Sequence, residues 1–272
     1  MKNLRCGLIG ENIGRSRLAA ALRIMADDAG IGFEFTAIDT ANDPDVDFDA
    51  LVDHLRLQGW TGVTVTHPWK THAAAWAGDN MGAVGHLGAA NTLTFAPVAG
   101  DNTDYRGFLA AWRAQMDRAP GHVAVAGAGG VARAVVPALQ ELGADQITLW
   151  DPRTEAAKAL ADQAGVSICS LADAGAVCGG ADGLVNCTPL GMAPDARSAF
   201  DAAWFGPQAW AFDAVYTPTD TPFLRLAEAA GLTTMTGFDL FRHMAMASFE
   251  TYTGHRPDPA ATLPKLDALR PE

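Results

Sequence analysis

Short apolar runs separated by amphipathic stretches recur along this chain, and their periods predict strands alternating with helices. Leu4 to Ile9 reads as a first strand, followed by a polar turn over 10–16. Leu18, Leu22 and Met25 then recur near one helical face, which predicts a helix over about 17–29 with Gly30 at its C-terminal cap. Phe33 to Ile38 alternates as a strand does, 47–58 reads as a helix stopped by Gly59, and β-branched Gly62 to Thr66 as a strand broken by Pro68. A small helix around 71–76 and a strand over 90–95 complete a first α/β block ending near residue 103. A helix through Phe108, Leu109 and Trp112, capped from Asp101 to Asp104, connects it to a second.

That second block opens on the most informative stretch. Val123 to Ala126 is a small-apolar strand, Gly127-Ala128-Gly129-Gly130-Val131-Ala132 follows at once, Arg133 to Leu142 reads as a helix, and Gln146 to Trp150 is a second strand closing on Asp151. A strand, a glycine turn, a helix and a strand ending in an acid, within about 30 residues, is the dinucleotide-binding fingerprint. Gly127 allows the tight turn, Gly129 a close approach of backbone to pyrophosphate, and Ala132 close helix–strand packing; the helix N-terminus faces the phosphates. The plain alternative is a glycine turn that only packs. Further alternation follows: helix 155–164, strand 167–170, helix 171–178, strand 183–187, strand 209–215, helix 221–230 and strand 233–236. A long helix, Leu240 to Tyr252, is expected to pack back on the first block, and the Pro-rich C-terminal tail to be a surface extension.

Composition narrows the function classes. The 272 residues suffice for two domains, and 49% hydrophobic with 18% charged residues is a globular composition. The net charge of −12 argues against nucleic acid and leaves any anionic ligand to local donors. The N-terminus lacks a signal peptide pattern and no apolar run reaches 18 residues, so no membrane partner is expected. Cys6, Cys169, Cys178 and Cys187 form no CxxC pair with His partners, so no metal site is expected and a reduced, cytoplasmic compartment is the default.

A second candidate for chemistry is Val63 to Lys70, where a strand places Thr64 and Thr66 on one side and Pro68 turns the chain out, leaving Lys70 at a strand-to-helix turn. Oxidising an alcohol with a nicotinamide requires a group to take the hydroxyl proton, and a Lys held by an Asp, such as Asp104, does this. On spacing alone a solvated lysine and a helix-capping aspartate are the favoured readings.

Six stretches in order resemble the shikimate and quinate dehydrogenase family over nearly the whole chain: Gly62 to Lys70, Gly88 to Thr92, Gly100 to Asp104, Gly127 to Gly130, Asn186-Cys187-Thr188-Pro189-Leu190-Gly191-Met192, and Asp213 to Pro218. The resemblance implies an α/β fold of two domains, residues 1–104 with 238–272 binding substrate and 105–237 binding dinucleotide, with the active site in the cleft between them. It implies that Lys70 and Asp104 are the catalytic pair, that Asn91 donates to substrate hydroxyls, and that Tyr216 touches substrate. It also implies that the loop of Asn186, Thr188, Pro189 and Met192 borders the nicotinamide. With the glycine turn, Ala128 and Val131 included, Gly237 joins the expected cofactor set. Where the family shows S-x-S this chain has Ser16-Arg17-Leu18, Thr64 stands where shikimate-type members carry Asn, and His243 where the family has a substrate-binding Gln. Ser16 also fits a helix N-cap, and a lone helical histidine such as His243 also fits a structural role. Losing a donor weakens the usual ligand by roughly 1–3 kcal/mol; Arg15 and Arg17 are candidate replacements.

An acid after the second strand accepts the ribose hydroxyl and repels a 2′-phosphate. NADP-using relatives resemble Asn-Arg-Thr here, whereas this chain has Asp151-Pro152-Arg153-Thr154, so NAD is favoured and Arg153, displaced by one, leaves room for NADP. The expected protein is therefore an NAD-preferring dehydrogenase acting, as monomer or homodimer, on a small cyclic hydroxy acid: shikimate, with quinate or another cyclic polyol acid as alternative. The reading from another class is a catalytically silent NAD-binding module.

Overall fold

The structure is a computed structural model that describes residues 3–43 and 45–271. Met1, Lys2, Pro44 and Glu272, which fall inside the expected domain ranges, lie outside the described residues. The chain divides into two compact units, Met1–Gly107 with Arg242–Leu269, and Phe108–Phe241 with Arg270–Glu272.

The first unit holds a five-stranded sheet ordered β2-β1-β3-β4-β5, with β1 Asn3–Gly10, β2 Gly32–Asp39, β3 Gly62–Val65, β4 Thr92–Phe95 and β5 Val98–Asp101. The first three strands run parallel because helices α1 (Leu18–Ala29) and α2 (Phe48–Leu57) connect them, and the last two close an antiparallel hairpin. Buried Leu18, Leu22 and Met25 give α1 the apolar face expected of it. The hairpin partner β5 and a 3₁₀ run over Gly78–Leu87, after α3 (Lys70–Ala77), were not legible as separate elements. The C-terminal tail corrects a second expectation. Residues Pro259–Asp267 form a helix, α10, capped by Asp258, with Leu266 fully buried and Lys265 paired to Asp28 of α1 at 2.6 Å. The buried positions of this Pro-containing segment are Thr262 and Leu266, one of them polar, which hid the amphipathic pattern.

The second unit holds a wholly parallel six-stranded sheet, ordered β11-β10-β9-β6-β7-β8. Its strands are β6 His122–Ala126, β7 Gln146–Trp150, β8 Ser167–Ile168, β9 Gly183–Asn186, β10 Trp210–Asp213 and β11 Thr233–Met235. Strands β6, β7, β9 and β10 are buried almost throughout, as a sheet covered on both faces requires. Helices α5 (Ala132–Glu141), α6 (Thr154–Ala164), α7 (Ala174–Gly179) and α8 (Pro222–Ala229) supply the crossovers. The strand order reverses between β6 and β9, the topological switch point at which such sheets bind nucleotides.

The division between units falls inside two helices, α4 (Thr103–Gln115) and α9 (Gly237–Thr253). In the second unit Phe108 and Trp112 of α4 meet Phe212 and Trp210 of β10 edge-on, at 5.0 and 4.7 Å between ring centroids. In the first unit the later part of α9 lies on the sheet, where the Tyr252 hydroxyl and Thr64 Oγ1 of β3 share a buried hydrogen bond of 2.7 Å. Among the described residues no helix is long and apolar enough to cross a membrane. Tyr252→Phe leaves the Thr64 hydroxyl without its partner and is expected to lower unfolding stability by about 1–2 kcal/mol, read as a shift in urea midpoint at unchanged slope.

Candidate active site and dinucleotide site

In the first unit β3 ends at Val65, Pro68 lies in the turn that follows, and α3 begins at Lys70. Trp69 anchors this turn: its indole N–H donates to Thr40 Oγ1 at 2.9 Å and its ring stacks on Phe48 at 5.5 Å. Lys70 Nζ donates to Asp104 Oδ2 at 2.5 Å, with the two side chains only 12% and 7% exposed. Asp104 lies in the first turn of α4, where the helix dipole favours a carboxylate. It is not the cap. Asn102 Oδ1 accepts the Tyr105 N–H at 3.1 Å, so the capping role falls to Asn102 and the Asp104 carboxylate is left to the lysine. The solvated-lysine reading fails on burial.

Asn91 joins this pair through the backbone. The N–H of its neighbour Ala90 donates to the Lys70 carbonyl at 2.8 Å, and Asn91 Oδ1 accepts the Thr103 N–H at 2.6 Å, next to Asp104. Hydroxyls of Thr103 and Thr92 also approach Oδ1, at 3.0 and 3.1 Å. Those donors fix the orientation of the carboxamide, and its Nδ2 has no partner among the described residues. Two hydrogens are thus presented for donation. Sequence reasoning passed over the residues behind Asn91: Thr103 Oγ1 meets Ser248 Oγ at 2.8 Å, and the Met244 sulfur lies 3.5 Å from that serine. Met244, half-buried on α9, therefore stands beside this cluster, one residue from the expected His243. His243 itself is buried on α9 and has interactions of its own.

The remaining expected substrate residues separate. Ser16 is half-buried between a 3₁₀ turn and α1, and its oxygen accepts the Leu18 N–H at 3.3 Å, leaving its proton free to donate. Leu18 is 2% exposed and belongs to the core. Arg15 and Arg17 are exposed. Thr66 follows β3 half-buried, with no partner for its hydroxyl among the described residues. Thr64, 4% exposed, shares a buried hydrogen bond of 2.7 Å with the Tyr252 hydroxyl, which ties α9 to the sheet.

In the second unit the glycine turn sits at the carboxyl end of β6. Gly127 has φ +99° and its N–H donates to the Trp150 carbonyl at 2.7 Å; a side chain there would meet the Cys187 backbone at 2.8 Å. The space above Gly129 is open for 4 Å, and the N–H groups of Gly130 and Val131, ahead of α5, have no partner among the described residues. An open surface, free donors and a ten-residue helix pointing its N-terminus there fit a pyrophosphate. Asp151 stands beside it, its Oδ2 accepting the Ala128 N–H at 2.9 Å. Arg153 grips both Asp151 oxygens at 3.1 Å while remaining 68% exposed itself. Burial pushes the Asp151 carboxyl up, but the bonds from Arg153 and Ala128 outweigh it and hold it below the ordinary value.

Across the switch point, Asn186 ends β9 and organises the loop after it. Its Oδ1 accepts the N–H and hydroxyl of Thr188 at 2.9 and 2.7 Å, and its Nδ2 donates to the Leu190 carbonyl at 3.1 Å. Pro189 and Met192 are exposed on that loop. Tyr216 stacks on Phe241 at 5.1 Å between ring centroids, and Gly237 starts α9 against the Ala214 and Val215 carbonyls. The structure thus brings Gly127, Ala128, Gly129, Gly130, Val131, Asp151, Arg153, Asn186 and Thr188 to one end of one sheet. Asp213, in a quoted motif but given no role, is fully buried beside Asn186. Burial raises its carboxyl to about 7 against the hydrogen bonds it accepts.

A Rossmann-like unit with an acid-ended second strand, in one chain with an α/β unit carrying a buried Lys–Asp pair, defines a class: a two-unit α/β protein built for a dinucleotide and a small polar ligand. The comparisons give the family. The sequence model described as the shikimate dehydrogenase substrate binding domain matches residues 8–93. A quinate/shikimate dehydrogenase (NAD(+)) of Corynebacterium efficiens is 33% identical over 265 residues, covering 93% of each chain. A shikimate dehydrogenase (NADP(+)) of Rhodopseudomonas palustris is 37% identical, over 82% of this chain and 81% of its own. Among solved structures, the quinate dehydrogenase of Corynebacterium glutamicum in complex with NAD matches at TM-score 0.90 and 30% identity, covering 98% of this chain and 100% of that one. The chain belongs to the shikimate and quinate dehydrogenase family.

Asp213 generates a pH prediction. An unfolded chain releases this proton near 3.8, whereas the native state keeps it to about 7. Ionisation therefore costs the native state, and this group's contribution to stability falls as pH rises from about 4 to about 7. In Asp213→Asn the group does not titrate, so the stability of the parent relative to this variant is expected to decline across that window, measured by urea denaturation at each pH.

Proposed function

We propose that this chain is an NAD-preferring dehydrogenase that interconverts a ring hydroxyl and a ketone on a shikimate-like cyclic hydroxy acid, with quinate as the alternative substrate. Residues 1–104 with 238–272 serve as the substrate-binding and catalytic domain, and residues 105–237 as the dinucleotide-binding domain. The observation that carries this reading is the nearly buried Lys70–Asp104 pair at 2.5 Å, tied through backbone bonds to an Asn91 amide with hydrogens to give. Relatives that span the chain and are named for these two acids support it. The protein works in a reducing, cytoplasmic setting, the default for a chain whose cysteines are scattered and form no CxxC pair.

The nicotinamide, when bound, supplies the hydride acceptor or donor. Lys70 takes the hydroxyl proton at Nζ during oxidation and returns it to the carbonyl oxygen during reduction. Asp104 holds Nζ in one place and balances its charge as it does so. Asn91 donates to a neighbouring ring hydroxyl, and the Ser16 and Thr66 hydroxyls donate to the acid group, with Tyr216 and His243 as further substrate contacts. Burial of the lysine and aspartate keeps water from competing for the proton. On the cofactor side, Gly127, Ala128, Gly129, Gly130 and Val131 hold the pyrophosphate, and Asp151 accepts the adenosine ribose hydroxyls. Asn186, Thr188, Pro189, Met192 and Gly237 line the way to the nicotinamide.

Oxidation of shikimate and quinate with NAD and NADP, followed by absorbance of the reduced nicotinamide, tests the reading; turnover of neither acid overturns it. Lys70→Ala is expected to lower kcat by roughly 10²–10⁴-fold. Its NAD affinity by calorimetry should stay within about threefold of the parent, a difference of under 1 kcal/mol. Arg153, bound to both Asp151 oxygens, is a cation placed to meet a 2′-phosphate, so Arg153→Ala should cut the NADP-to-NAD ratio of kcat/KM by about tenfold.

A further inference from the structure

Asp213 has more to do than a buried acid needs. It ends β10 directly opposite Asn186 of β9 in the parallel register, at the carboxyl end of the sheet. Its Oδ1 accepts the Asn186 Nδ2 hydrogen and the Val215 N–H, both at 2.9 Å, and its Oδ2 accepts the Thr221 hydroxyl at 2.6 Å. No lysine or arginine pairs with it among the described residues. An acid in the core without a counter-ion is costly, so what it does there lies in the hydrogen bonds it accepts. What Asp213 orders is the telling part. Asn186 is a carboxamide with two different ends, and Asp213 accepts from only one of them. The other end, Oδ1, is thereby aimed at Thr188, whose hydroxyl in turn accepts the Leu190 N–H at 3.2 Å. A flipped Asn186 would break its bonds to Asp213, to the Leu190 carbonyl and to the Thr188 N–H.

The place of that loop follows from the sheet. The pyrophosphate turn lies after β6 and the acid for the adenosine ribose after β7, so the nicotinamide half must extend the other way, over β9. The Cys187–Thr188 segment already borders the turn, its atoms 2.8–3.0 Å from where a Gly127 side chain would begin. We propose that Asp213 is a positioning residue for nicotinamide binding: by fixing which way Asn186 faces, it sets the loop over 187–190 on which the nicotinamide half of the dinucleotide rests. It touches neither cofactor nor substrate. This inference rests on the dinucleotide reading above and deepens it.

Calorimetric titration with NAD and with ADP-ribose, which lacks the nicotinamide, at pH 8 separates this role from a purely structural one. Asp213→Leu fills the same space with no acceptor; Asp213→Asn keeps one oxygen for both Asn186 and Val215 and turns its amide to Thr221. Asp213→Leu should bind NAD at least about tenfold more weakly with ADP-ribose affinity unchanged, and Asp213→Asn should stay within about threefold of the parent for both. Unchanged NAD affinity in Asp213→Leu, or equal losses for NAD and ADP-ribose, overturns the positioning role. Should Asp213→Leu fail to melt cooperatively, Asp213→Ala, which removes the same acceptors, takes its place with the same outcomes. A parent protein that binds neither NAD nor ADP-ribose overturns the dinucleotide reading itself, and this proposal with it.

Discussion

Two buried carboxamides carry the organisation of both units. Backbone donors freed where a strand gives way to a loop must be satisfied inside the fold, because an unpaired buried N–H costs on the order of 1–3 kcal/mol. Asn91 solves this before β4 by accepting the first N–H of α4, and Asn186 solves it after β9 by accepting the Thr188 N–H. Each is 0–1% exposed, and each has its amide orientation dictated by the donors around it. The consequences differ. Asn91 is left with hydrogens to give outward, and so becomes a donor; Asn186 spends its hydrogens on Asp213 and Leu190, and so becomes a brace.

That contrast explains which parts of the site could be read from the sequence. The glycine turn with Asp151 was legible because local spacing alone fixes a strand, a turn, a helix and an acid. Lys70 and Asp104 were not legible as a pair by spacing, since 34 residues separate them and their meeting depends on the sheet order β3-β4-β5. Only the ordered motifs raised them. Thr64 shows a different limit. Alternation placed it with Thr66 on one side of β3, but whether that side faces a ligand or a helix depends on where α9 lies, and Tyr252 is 188 residues away. Met244 and Ser248 stayed hidden for the same reason. On a helix apolar over most of its surface, no period marks the residue that sits beside Asn91.

The net charge of −12 gives local donors the whole task of holding an anion. In the first unit these are few. Leu18 has left the polar set for the core. Arg15 and Arg17 flank Ser16 but lie exposed, where a charge pair is worth only a few tenths to about 1 kcal/mol. A monoanion with several hydroxyls suits this arrangement better than a phosphate, because hydroxyls draw on neutral donors such as Asn91.

Cofactor choice turns on a different balance of charge. The Asp151 carboxylate is 6% exposed and the Arg153 guanidinium 68% exposed, so the acid is held by its surroundings and the arginine by the acid alone. An exposed arm that loses one bidentate contact regains much of its hydration, whereas the acid keeps the Ala128 N–H whatever the arginine does. Ribose hydroxyls therefore compete with the more weakly held partner. A 2′-phosphate would meet both groups at once, repelled by the fixed charge and attracted by the mobile one. Since the repelling charge cannot move and the attracting one must first be released, the arrangement favours NAD without closing the site to NADP.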